Sequence, residues 1–241
     1  NVGLVALIGV LCFAFLIILG FALTKILRVP FSQREAYILM TVFGNLGFIG
    51  LPVASAVLGP KSMVYVIVFN FLFNVVIFTF GIMLVKKGVD GVEQSWTDIF
   101  SPGFIACILA FIIYWFNIKI PADLQSLVNY CGNACTLLSL LVIGMSLVGM
   151  NLGSVFKNKR LLLFTAVRFI AVPIALALLL KPFLPDYIMR ASVVLMMSLP
   201  VANMPMMMAE QYGKETTTIS EGIILSTVLS AATISLVFLF V

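Results

Sequence analysis

The chain is 241 residues long, with 63% of them in the apolar classes, 10% charged, a mean hydropathy of +1.22 and a formal charge of +5. Soluble domains carry about 25% charged residues, so this composition belongs to a bilayer, and length counts membrane spans rather than domains. The absence of histidine excludes Ser-His-Asp and Cys-His nucleophile pairs and histidine-based metal sites, and no metal or cofactor is expected.

A helix needs about 20 predominantly apolar residues to cross the hydrocarbon. Such runs predict about eight spans, at 2–27, 36–59, 62–84, 102–118, 122–150, 161–180, 187–209 and 219–241, in an all-α integral membrane protein. The first run opens at Asn1 with no basic leader or cleavage site, so no signal peptide is expected. The second is interrupted at Gly44-Asn45-Leu46-Gly47-Phe48-Ile49-Gly50-Leu51-Pro52. Hydrocarbon cannot satisfy the backbone groups that a break releases, so a break persists only inside protein or beside a water-filled cavity. It is therefore a candidate binding site. In the third run Asn70 and Asn74, spaced i,i+4, share one helix face, where interhelical hydrogen bonding is the plainer role.

Between Lys86 and Ser101 the chain holds Asp90, Glu93 and Asp98 beside Gly88 and Gly91, which reads as a solvated linker. The expected organisation is a partial N-terminal repeat of three spans at 1–87, a cytoplasmic linker at 88–101 and a five-span C-terminal repeat at 102–241. Cys12, Cys107, Cys131 and Cys135 lie in apolar runs without a C-x-x-C pair and read as small packing residues. Arg168 lies roughly 12 Å into the sixth run at 1.5 Å rise per residue. An arginine at that depth is a functional hypothesis, as a carboxylate partner or counter-ion, against structural pairing with Glu221 or with backbone carbonyls. The seventh run breaks again at Leu199-Pro200-Val201-Ala202-Asn203-Met204-Pro205, followed by Met206, Met207 and Met208 as adaptable packing. Glu221 opens the last run, read as an interfacial carboxylate against a proton-coupling one, and Ser226, Thr227 and Ser230 give that run a polar face.

If every run crosses, Lys25, Arg28, Arg34, Lys86, Lys87, Lys157, Lys159, Arg160 and Lys214 share one side, against Lys61, Lys119, Lys181 and Arg190 on the other. The positive-inside rule places the first set in the cytoplasm, for a multi-pass protein of the cytoplasmic membrane. The charge then sits in loops and implies no nucleic-acid partner. The two breaks are five runs apart, and an odd offset makes the broken helices run in opposite directions, as in an inverted-topology repeat. Paired discontinuous helices of that kind mark the substrate site of secondary transporters. A five-span repeat leaves the first half two spans short, so an N-terminal helix pair is expected to be missing, in keeping with the absent initiator methionine.

The run Phe43-Gly44-Asn45-Leu46-Gly47-Phe48-Ile49-Gly50-Leu51-Pro52, the stretch Leu140-Leu141-Val142-Ile143-Gly144-Met145-Ser146-Leu147, Leu199-Pro200-Val201, Ala209-Glu210-Gln211-Tyr212-Gly213 and Ile224-Leu225-Ser226-Thr227-Val228-Leu229-Ser230 resemble the auxin efflux carrier family of membrane transporters, in particular its prokaryotic malate/malonate permease branch. The resemblance covers essentially the whole chain. It implies an inverted-repeat carrier of about ten spans with crossed broken helices, moving an organic anion such as malate, malonate or auxin. Proton or sodium coupling and a homodimer are both left open.

Independently of the resemblance, half-helices that meet at mid-membrane offer free N–H groups and about half a positive charge at each N-terminus, a seat for a carboxylate. The candidate substrate-binding residues are Asn45 and Asn203 as amide donors, Gly47 and Gly50 for close backbone approach, and Pro52, Pro200 and Pro205 for freeing carbonyls, with Arg168, Asn70 and Asn74. No Walker A pattern is present, so ATP-driven pumping is not expected. The reading is a secondary active transporter, not an enzyme, that moves small organic anions across the lipid bilayer by alternating access. One alternative is a sodium-coupled bile-acid-type symporter, against which the scarcity of intramembrane carboxylates speaks. Another is a non-transporting membrane sensor or scaffold, for which the sequence shows no soluble signalling domain. With the four native cysteines removed, new cysteines placed within 88–101 are expected to resist impermeant thiol reagents applied to intact cells; efficient external labelling would invert the topology.

Overall fold

The computed structural model of the chain describes residues 2–87, 102–147 and 152–241, and the expected linker at 88–101 lies outside the described residues. These residues are nearly all helical and include no strand. In chain order the helices are α1 (Val2–Ile26), α2 (Arg34–Val42), α3 (Leu46–Leu58), α4 (Pro60–Lys86), α5 (Pro102–Trp115), α6 (Ala122–Leu147), α7 (Leu152–Val155), α8 (Lys159–Leu180), α9 (Tyr187–Ser198), α10 (Met204–Gln211) and α11 (Thr217–Phe238). Of these, α1, α4, α8 and α11 are each long and apolar enough to cross a membrane unaided.

Local chemistry sets the helix ends. Asn158 and Asp186 cap α8 and α9, their Oδ1 atoms accepting the N–H of Leu161 at 3.2 Å and of Met189 at 3.1 Å. Helices α1, α5 and α10 each end where one residue turns left-handed, at Arg28 (φ 50°), Asn117 (φ 49°) and Gly213 (φ 65°). The next N–H then reaches back five residues: Val29 to Thr24 O at 2.9 Å, Ile118 to Ile113 O at 3.0 Å and Lys214 to Ala209 O at 2.9 Å. That cap stops α5 at Trp115, short of the expected 102–118, leaving 14 residues, or about 21 Å of helix.

The two runs expected at 36–59 and 187–209 are each a pair of half-helices: α2 and α3, and α9 and α10. They form the centre of the fold. Helix α1 packs on α2 and α4, while α9 packs on α4, α8 and α11, and α11 also reaches α2. All residues from Ala36 to Val42 in α2, and from Met189 to Ser198 in α9, are buried. A helix that is apolar and covered on all sides belongs to the interior of a large bundle. The basic loops gather at one end of the molecule. Arg160 Nε donates to Leu27 O at 3.1 Å, and Lys214 Nζ donates to Glu35 Oε2 at 2.7 Å and to Lys87 O at 2.6 Å.

The tightest packing between the broken helices is at Gly50, where a Cβ would lie 2.6 Å from Leu199 Cδ1 and 3.3 Å from Met196 Cε. Leu199 is wholly buried, so its side chain has no free space to move into. Gly50→Val is expected to lower stability by about 1–3 kcal/mol through overpacking. Gly47→Ala, whose Cβ meets nothing nearer than Asn70 Oδ1 at 3.8 Å, is expected to stay within about 0.5 kcal/mol of the parent protein. Thermal unfolding of the purified variants in detergent checks both.

Candidate functional site: the crossing of two broken helices

Helix α2 ends at Val42, and the chain runs extended through Phe43 (φ −105°, ψ 95°) to Gly44. Asn45 (φ −80°, ψ 69°) then makes an inverse γ-turn, with Leu46 N–H bonded to Gly44 O at 2.9 Å. Its side-chain Oδ1 accepts the Phe48 N–H at 3.2 Å, capping the wide π-type first turn of α3. On the other side α9 ends at Ser198, and Leu199 is extended (φ −65°, ψ 143°), as a residue before proline prefers. The chain resumes as a helix at Met204, with Pro205 in the first turn, where its missing N–H costs nothing.

The two interruptions lie against each other as a short antiparallel bridge, Gly44 opposite Val201. Asn45 N–H donates to Pro200 O at 2.7 Å, and Ala202 N–H donates to Phe43 O at 3.0 Å. Gly44 permits this approach, since a Cβ there would lie 3.3 Å from Leu199 O. The outward-facing Val201 N–H is taken up by α11, whose Ser226 Oγ accepts it at 3.0 Å while donating to Gly222 O at 2.7 Å. Each break thus satisfies the other's backbone, as a buried break must.

Arg168 supplies the remaining link. It sits in a π-type turn of α8, Val167–Ala171, and is 1% exposed. Its Nε donates to Thr41 O at 2.6 Å and its Nη1 to Met197 O at 2.7 Å. Both carbonyls belong to last turns, of α2 and of α9, where no intrahelical partner exists. One guanidinium therefore joins the C-terminal ends of both first half-helices, with the Phe169 ring 4.9 Å from its central carbon. Among the described residues no carboxylate lies within ion-pair distance of Arg168, Glu221 included.

Of the other residues singled out from sequence, Pro200 contributes its carbonyl to the bridge, and Pro205 is buried in the first turn of α10. Gly50 is turned to Leu199 and Met196. Gly47 is half-buried, with Asn70 its nearest neighbour across the gap. Asn70 and Asn74 are also half-buried, and Asn74 Nδ2 donates to Asn70 O at 2.7 Å within α4. Pro52 is exposed on α3, away from the bridge. Asn203 stands apart: it is 2% exposed, yet neither its Nδ2 nor its Oδ1 has a partner. Sequence reasoning did not single out Thr41, Met197, Leu199 or Gly44 as contacts, and it registered Ser226 only as part of a polar face.

The charges at the crossing follow from helix direction. Two C-terminal ends and two N-terminal ends converge, each worth roughly half a charge, and they nearly cancel. Arg168 lies on the negative pair, which leaves the N-termini of α3 and α10 uncompensated. Toward the basic end of the molecule a small cleft opens between the two broken elements, bounded by Glu35, Leu39, Ala209, Lys214 and Ile219.

The fold and the crossing define an all-helical membrane protein organised about two interrupted helices. A family profile described as "membrane transport protein" matches residues 2–97 and 92–238, and the chain belongs to that family, the auxin efflux carrier family. Its members are transporters rather than enzymes. Among curated proteins none matches the chain.

Ser226→Ala removes the acceptor of the buried Val201 N–H and is expected to cost about 1–3 kcal/mol. Ser226→Thr keeps the hydroxyl and is expected to recover most of that loss. Paired thermal melts of the two variants decide whether this bond holds the second break.

Proposed function

We propose that the protein is a secondary active transporter of small organic anions, carboxylates in particular, and that the crossing is its substrate site. Asn203 carries the reading. A buried amide with no partner forfeits about 1–3 kcal/mol, and such a residue beside a helix N-terminus has the donors that a carboxylate takes up. Asn203 precedes α10 as Asn45 precedes α3, so two N-termini and two asparagines belong to one anion seat. Arg168 acts there as a fixed counter-charge, its field tipping a balanced set of helix ends toward an anion. Gly47, Asn70 and Asn74 form the half-buried edge of the seat, and Gly50, Pro200 and Pro205 shape the backbone around it, while Pro52 lies outside it.

In this reading the chain belongs with the malate/malonate permease-like members of its family. The two broken elements are the matching parts of an inverted repeat, with 1–87 and 102–241 as its halves. The basic end faces the cytoplasm across the cytoplasmic membrane, and the cleft beside Lys214 and Glu35 is the inner mouth. Alternating access moves the bundle that carries the crossing against the rest of the protein.

Uptake of radiolabelled malonate and malate into proteoliposomes, with and without an imposed potential or pH gradient, tests the activity. Asn203→Leu separates site from scaffold. Because the native amide bonds to nothing, this variant is expected to melt at or above the parent temperature while uptake falls at least about tenfold, the equivalent of 1.4 kcal/mol of lost binding. Asn45→Ala is expected to lose uptake as well, together with about 1 kcal/mol of stability from the missing cap. Unchanged uptake in Asn203→Leu would remove the crossing from the substrate path.

A further inference from the structure

Half-helix C-termini buried in a membrane protein form a cation seat, because their last-turn carbonyls point inward with no partner and with the negative end of the helix dipole behind them. In ion-coupled carriers such carbonyls hold the coupling cation. Here two such ends, from α2 and α9, come within the reach of one group, and that group is covalently attached. Arg168 Nε is 2.6 Å from Thr41 O and Nη1 is 2.7 Å from Met197 O, short contacts of the kind a charged donor makes, and the side chain is 1% exposed. The π-type turn at Val167–Ala171 widens α8 at this residue, and Pro173 follows one turn later.

We infer that Arg168 is a tethered cation occupying a monovalent-cation seat built from the Thr41 and Met197 carbonyls, so that the carrier needs no mobile sodium ion at its crossing. The positive charge that a symporter would recruit from solution is supplied by the chain. It stays with the protein through the transport cycle, so an anion leaves the site without a co-transported cation from this seat. The inference rests on the proposed anion-transport reading and names one element of its coupling. It also assigns the seat a ligand class once the arginine is removed: a small monovalent cation or a free guanidinium ion.

The test is thermal unfolding of the purified full chain, parent and Arg168→Ala, in chloride salts of sodium, lithium, potassium and choline at equal ionic strength. The parent is expected to melt at one temperature in sodium and in choline. Arg168→Ala is expected to melt lower in choline and to regain about 4 °C in sodium or lithium, or with guanidinium added at low millimolar concentration. Choline, too large for two converging carbonyls, serves as the salt control. Arg168→Gln is neutral but keeps an N–H donor; it stands in where the alanine variant yields no folded protein and carries the same expectation.

Two results would overturn the inference: a parent protein stabilised by sodium over choline, or a variant that responds to no small cation. A residue with only a packing role would give loss of stability without ion-selective recovery. The melting readout uses no organic anion. A protein that carries neither malonate nor malate, yet shows the ion-selective recovery, would therefore sink the substrate reading and leave the filled seat standing.

Discussion

A backbone polar group inside a membrane must find its partner within the protein, and two interrupted helices at the centre of a bundle release many such groups at once. The arrangement around the crossing answers that demand almost atom by atom. Phe43 O and Asn45 N–H face Ala202 N–H and Pro200 O across the bridge. The Val201 N–H goes to Ser226, the Phe48 N–H to Asn45, and the Thr41 and Met197 carbonyls to Arg168. Three other elements, α8, α11 and α4, are held against the crossing by this requirement and by the side chains packed around it. Close packing at two glycines accompanies it: a Cβ at Gly44 would lie 3.3 Å from the Leu199 carbonyl beside the bridge, and one at Gly50 would lie 2.6 Å from the Leu199 side chain.

The two breaks solve the same problem differently. The first is self-contained: Asn45 makes the turn and caps the helix that follows. The second relies on prolines, which delete donors at Pro200 and Pro205, and on a hydroxyl borrowed from α11. This difference leaves the Asn203 amide idle, whereas its counterpart Asn45 is engaged. A layout that satisfies nearly every buried group at the crossing but leaves the Asn203 amide unpaired gives that amide no part in the scaffold's hydrogen bonding, and a buried polar group in that condition calls for its own explanation.

Charge is arranged with the same economy. Arginine is the side chain suited to Arg168's place, because its fork presents several donors in fixed directions and can bridge two carbonyls from different helices while remaining charged. Lysine carries a point charge with no such fork. The basic loops at one end of the molecule are likewise connected rather than merely collected: Lys214 ties α2, through Glu35, to the end of α4, through Lys87. Both broken elements therefore have anchors at the basic end as well as at the crossing.

The amino-acid sequence by itself determined the solvent, the course of the helices and the places where two of them break. Those properties are local: hydropathy over about 20 residues decides a span, and Asn, Gly and Pro decide an interruption within a few residues. The loops that hold Leu27, Glu35, Lys87, Arg160 and Lys214, grouped on one side from the spacing of the apolar runs, do meet in the structure. What Arg168 touches was decided only by the tertiary structure. Its partners are backbone carbonyls 127 and 29 positions away, and every residue has a carbonyl, so no residue type could mark them. Gly50, read from sequence as room for a ligand, packs against the Leu199 side chain 149 positions away, a neighbour that only the fold brings near. A break is written in the chain that makes it; the partner that satisfies it is chosen by whichever element the fold brings near.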